Sequence, residues 1–175
     1  YFVIVESKFN HKGEERKPLF DINKFKDFKD KIIYLLSDTE GENFYKTEKH
    51  DDNDKIAGKN LMNALIRENY QRDYIINGLD KANDDDWIII SDLDEIPNLE
   101  LNDLRKNENK IVFFNQLMIY YKLNLFLKDF PWIGSKACKK KYLKSPQWLR
   151  NVKDRKYPWW RLDVLFSETK YNNIK

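Results

Sequence analysis

The chain has 175 residues, 41% of them hydrophobic and 15% aromatic, which is one domain's length with enough apolar material for a core. Charged residues reach 35% but are evenly mixed in sign, which argues against wholesale disorder, and the net charge of +3 is too small to demand a nucleic-acid or membrane partner for the whole chain. One cysteine excludes an internal disulfide framework, and two histidines leave little for a multi-histidine zinc centre, so any metal chemistry rests mainly on carboxylates.

The chain opens in a β-branched run, Tyr1–Val5, which stops at Glu6-Ser7. A start inside a strand, without Met, reads as a fragment. A second apolar run, Lys31–Leu36, stops at Ser37-Asp38, and the polar stretch from Ser37 to Asn60 reads as a long surface loop. From Leu61 to Leu79 apolar residues recur at helical spacing, with Gly78 near the end. A third apolar run, Trp87–Ile90, stops at Ser91-Asp92, and Pro97 closes the segment after it. Asn98 to Asn109 is a polar connection. Ile111–Tyr121 is aromatic and β-branched, as a long strand requires. The three continuous runs predict strands buried on both faces, hence an α/β fold with a mainly parallel sheet in a single domain spanning 1–175. In such sheets ligands bind beyond the carboxyl ends of the strands, where Glu6 and Asp92 fall. No stretch is long and apolar enough to be a membrane segment; Ile111–Leu127 is interrupted by Asn115, Gln116, Lys122 and Asn124.

The sharpest local pattern is Trp87-Ile-Ile-Ile-Ser-Asp92-Leu-Asp94-Glu95-Ile-Pro97. A buried strand delivers two aspartates spaced D-x-D where it ends, and alternation points both the same way if strand geometry persists. Two hard oxygen donors suit Mg²⁺ or Mn²⁺, ions that keep positions for water and substrate phosphates. An Asp-rich capping turn is the plainer reading. D-L-D also occurs in haloacid-dehalogenase phosphatases, but there it opens the domain and a Gly-Thr-like pair follows, whereas Glu95-Ile96 follows here.

Longer stretches carry a family resemblance. Phe2-Val-Ile-Val-Glu6-Ser7-Lys-Phe9-Asn-His11-Lys-Gly13-Glu14 with Lys17-Pro18-Leu19, then Arg67–Arg72 and Gly78-Leu79, Asp86–Pro97, Tyr120–Asn124 and Trp132–Ala137 follow in that order. Together they resemble glycosyltransferase family 17, the β-1,4-mannosyl-glycoprotein β-1,4-N-acetylglucosaminyltransferases, over about residues 1 to 150. The resemblance implies a GT-A-like nucleotide-sugar-binding fold, here lacking the family's first strand and its C-terminal block. It also implies a UDP-sugar donor, UDP-N-acetylglucosamine, a glycan acceptor and a divalent metal, Mn²⁺ or Mg²⁺.

A metal held by Asp92 and Asp94 would neutralise the charge that builds on the departing diphosphate. Arg72, or a lysine of the Ser37–Asn60 stretch, is a second candidate cation for the phosphates. Glu6 and Asp92 are candidates for the nucleotide, Glu6 by accepting hydrogen bonds from uracil or ribose. An inverting transfer needs a base for the acceptor hydroxyl; Glu95 is the nearest candidate, with orientation of a metal-bound water or helix capping as its other roles. Trp132, Trp148, Trp159, Trp160, Tyr120 and Tyr121 are sugar-platform candidates or plain core. Cys138 reads as a packed small hydrophobe, because no histidine lies near it in sequence.

The main rival is a nucleic-acid- or anionic-surface-binding module on segment 136–161, where Lys136, Lys139, Lys140, Lys141, Lys144, Arg150, Lys153, Arg155, Lys156 and Arg161 face the single acid Asp154. The second is a metal-dependent nucleotidyltransferase. Under the glycosyltransferase reading no nucleic-acid partner is expected. Richness in Lys, Asn, Asp and Ile favours an AT-rich genome and a cytoplasmic enzyme of a microbe or virus; a eukaryotic family member would sit in the Golgi membrane.

Overall fold

A computed structural model describes residues 1–100, 103–122 and 124–153 of the chain. The contacts group into two compact units, Tyr1–Lys81 and Ala82–Lys175. The architecture is mixed α/β, with a two-stranded parallel sheet in the first unit and a three-stranded antiparallel sheet in the second.

In the first unit β1 (Phe2–Ser7) pairs with β2 (Ile32–Ser37) in parallel, with Phe2 opposite Ile32 and Ser7 opposite Ser37. A parallel pair cannot be joined by a tight turn, and the connection here runs through a 3-10 segment, Ile22–Lys31, whose first N–H groups are capped by Asp21. Helix α1 (Asn53–Asp73) follows, and a 3-10 turn (Tyr74–Gly78) extends it. The helix starts eight residues before the apolar spacing suggests, because the Asp52 carboxylate caps it by accepting from the Lys55 N–H. The polar stretch is thereby shortened, and what remains is strapped to α1. Asn63 pairs with both backbone groups of Tyr45, at 2.8 Å and 2.9 Å. Lys59 reaches the Lys46 carbonyl and Asp51, and Thr39 meets the Tyr70 hydroxyl.

In the second unit β3 (Trp87–Ile90), β4 (Ile111–Ile119) and β5 (Phe126–Lys139) assemble in the order β3-β5-β4, and β5 runs antiparallel to both neighbours. The mainly parallel sheet expected from the three apolar runs therefore holds only for the first two. The reason is local: after β4 the chain reverses, with Tyr121 at φ 62° and the Tyr120 N–H bonded to the Leu125 carbonyl, so the returning strand can pair only antiparallel. An unbroken apolar run reports burial, and burial does not fix strand direction. The C-terminal end of β5 is the centre of this unit: Ala137 and Cys138 are fully buried, among Ile88, Ile90, Ile111 and Phe114. The short helix α2 (Pro146–Asn151) closes the layer with Trp148 and Leu149, started by Ser145 at its N-cap and Pro146 in its first turn. Burial pushes the Cys138 thiol up to about 12, so it is an inert packing group.

Candidate functional site

Strand β3 ends at Ile90, and the next five residues form a turn whose closure is built from both sides. The Glu95 N–H donates to the Asp92 carbonyl at 3.1 Å, while the Glu95 carboxylate accepts from the Asp92 N–H at 3.1 Å. That reciprocal pair is what the D-x-D-E order provides: the fourth residue reaches back over the first.

Glu95 is buried, and every direction around its carboxylate carries a donor. The Trp132 indole N–H lies at 3.0 Å, Arg150 Nη1 at 2.8 Å from one oxygen and Arg150 Nη2 at 3.0 Å from the other. Ser135, whose hydroxyl also receives the Ser91 hydroxyl at 2.7 Å, sits 3.5 Å away. Arg150 extends from α2 and also donates through Nη2 to Asp92 Oδ2 at 2.7 Å and through Nη1 to the Gly134 carbonyl. One guanidinium thus bridges Asp92, Glu95 and strand β5, a geometry that only a planar fork of donors reaches. Gly134 is required by space: a Cβ there would strike the Glu95 carboxylate and the Trp132 indole nitrogen.

Lys136 sits behind the cluster. Burial, reinforced by the Arg150 charge and only partly opposed by Glu95, holds its ammonium pKa down at about 8. Its Nζ donates to the carbonyls of Arg150 and Val152, the latter at 2.5 Å, and so caps the C-terminal end of α2 with positive charge. In contrast to this packed interior, Asp94 is exposed and Asp92 is half-buried.

The site residues named from sequence fall into the two units. Asp92, Asp94 and Glu95 share the turn in the second unit. Glu6 and Arg72 belong to the first. Glu6 is buried at the end of β1 and accepts from the backbone N–H groups of Leu19 (2.7 Å) and Phe20 (3.0 Å) and from the Tyr34 hydroxyl (3.0 Å), with Arg16 at 3.4 Å. Burial alone would raise its pKa, but the two backbone N–H bonds, Tyr34 and Arg16 together outweigh it and hold the carboxyl below its ordinary value. Glu6 accordingly ties the loop after β1 back onto the sheet. Arg72 lies in the last turn of α1, paired with Glu68 at 2.8 Å one helical turn earlier.

The residue that sequence reasoning passed over as part of a basic stretch is Arg150. The available signal was its place in the short Ser-Pro-started helix beyond the D-x-D-E turn. Much of the rest of that stretch is engaged as well. Lys139 and Lys141 meet Asp85 at 3.3 Å and 2.6 Å, and Lys140 reaches the Ala82 carbonyl at 2.7 Å. Asp154, Arg155, Lys156, Trp159, Trp160 and Arg161 lie outside the described residues.

Among the described residues no three His, Cys, Asp or Glu side chains form a ready-made metal cage. The Asp92–Asp94 turn is a different kind of donor set: one or two carboxylates at a strand end, the type that takes Mg²⁺ or Mn²⁺ when substrate phosphates complete the coordination. No helix among the described residues is long and apolar enough to cross a membrane. No family model, no curated protein and no solved structure matches the chain.

Proposed function

We propose that this chain is a glycosyltransferase domain with a GT-A-like fold, moving N-acetylglucosamine or a related hexose from a UDP-sugar to a glycan hydroxyl with inversion, with a divalent metal, Mn²⁺ or Mg²⁺, at Asp92 and Asp94. The observation that carries the reading is the Asp92–Glu95 turn at the carboxyl end of β3, locked from behind by Arg150 and Glu95 while Asp94 stays exposed. The family resemblance of the segments around Glu6-Ser7 and Asp92–Pro97 narrows a metal–nucleotide site to glycosyl transfer; the turn alone would suit nucleotidyl transfer equally.

The chain's own residues divide the work as follows. Asp92 and Asp94 hold the cation, which when bound supplies charge neutralisation for the departing diphosphate. Glu95 is a positioning residue: its oxygens already carry the Asp92 N–H, Trp132 and Arg150, so the acceptor hydroxyl's proton goes to another group. Trp132 has its N–H fixed on Glu95 and is 39% exposed as a residue, which leaves it within reach of a sugar beside the turn. Glu6 shapes the loop after β1. The binding-module alternative loses support at Lys136, Lys139, Lys140, Lys141 and Arg150, whose charges are engaged within the chain.

The test is turnover of UDP-N-acetylglucosamine with Mn²⁺ against acceptors ending in mannose, galactose or glucose. Transfer, or slow release of UDP by hydrolysis, is the expected result. Neither product with any common UDP-sugar would remove the enzyme reading and bring the binding module forward.

A further inference from the structure

Arg150 offers four N–H bonds from its two terminal nitrogens and spends them on four acceptors: Asp92 Oδ2, both oxygens of Glu95, and the Gly134 carbonyl. Its side chain is 14% exposed and that of Glu95 6%. The guanidinium is therefore a fixed positive charge bonded directly to the first aspartate of the D-x-D pair. It is not free to swing away, because departure would leave the buried Glu95 without its counter-ion. Lys136 adds a second positive charge behind it, bonded to the Arg150 carbonyl.

We propose that Arg150 makes divalent-metal binding at the Asp92–Asp94 turn conditional on the nucleotide's diphosphate. This rests on the glycosyl-transfer reading above. A bare divalent cation approaching Asp92 meets a cation already hydrogen-bonded to that carboxylate, and the repulsion acts at short range in a partly desolvated setting. A diphosphate reverses the balance. It carries negative charge that the metal and the guanidinium both attract, so the two ligands enter as a pair. Such coupling is reciprocal: the metal tightens the nucleotide by the factor by which the nucleotide tightens the metal. The arrangement also fits the exposed Asp94, which remains on the solvent side of the turn to meet the incoming complex.

The experiment is an Mn²⁺ titration followed by electron paramagnetic resonance, with and without UDP, after subtraction of the metal that UDP holds in buffer. In the wild-type chain UDP is expected to tighten Mn²⁺ on the order of tenfold. Removing Arg150 alone would strand Glu95, so the comparison is between Glu95→Gln and the double variant Glu95→Gln/Arg150→Met. The double variant is expected to bind Mn²⁺ alone on the order of tenfold more tightly than Glu95→Gln, with a smaller UDP enhancement, what remains coming from direct contact between metal and phosphate. Arg150→Lys, which keeps the charge, is expected to keep the enhancement, and its loss there would contradict the proposal. Equal bare-metal affinity and equal enhancement in the two folded Glu95→Gln backgrounds would overturn the role of Arg150 while leaving the glycosyl-transfer reading intact. A wild-type chain in which neither UDP nor Mn²⁺ affects the other's binding would remove both.

Discussion

Single residues in the second unit carry more than their charge suggests. Lys136 is the clearest case: a lysine in a basic stretch reads as solvated, yet here its ammonium is buried against the end of α2. Its pKa in the folded chain, about 8, lies below the ordinary 10.5. The unfolded chain therefore holds more protons than the folded one between those values, and stability contributed by this site rises as pH climbs through that window. Chemical denaturation of wild type and Lys136→Met at pH 7.5 and pH 10 measures it. The difference in unfolding free energy is expected to move in favour of wild type at the higher pH, and a difference independent of pH would contradict the buried ammonium. Sequence alone shows none of this, because a lysine's burial depends on which carbonyls the fold brings to it.

At the scale of elements, the turn after β3 depends on strand β5 as much as on its own residues. Gly134 leaves room for the Glu95 carboxylate, and Trp132 two positions earlier supplies an indole donor to it. Gly134→Ala is expected to lower stability by about 1–3 kcal/mol through overpacking, and to shift the tryptophan emission as Trp132 gives way. Thermal unfolding and fluorescence spectra check both, and an unchanged spectrum with unchanged stability would contradict the packing described here. Strands β1 to β4 were legible, but β5 (Phe126–Lys139) was not, because the fourth apolar run stops at Tyr121 and the basic stretch begins only at Lys136. Trp87–Ile90 is strand β3 as read, and Phe2–Ser7 and Ile32–Ser37 extend the first two apolar runs by a residue or two. Their pairing was not. Direction in the second sheet is set by the reversal between Ile119 and Phe126, where Tyr121 adopts a positive φ that residue type does not announce. Helix α1 was recognised by its apolar spacing, but its start was set by Asp52, a cap hidden in a run of polar residues.

Across the whole molecule, the D-x-D-E-I-P pattern located the turn because a strand end followed by carboxylates is a local arrangement, written in consecutive residues. Its support was not local. Arg150 lies 55 positions beyond Glu95 and Trp132 lies 37 beyond it, and only folding brings them to one carboxylate. The central claim is that Asp92 and Asp94 hold a divalent cation together with a nucleotide diphosphate. Calorimetric titration of UDP into wild type and Asp94→Ala, with Mn²⁺ and with the metal chelated, tests it most directly. Because Asp94 is exposed and outside the Arg150 network, its replacement is expected to leave stability within about 0.5 kcal/mol, as for other surface substitutions. Wild type is expected to bind UDP on the order of tenfold more tightly with Mn²⁺ than with the metal chelated, and Asp94→Ala to lose that gain while remaining folded; metal-dependent UDP affinity unchanged in Asp94→Ala would contradict the account.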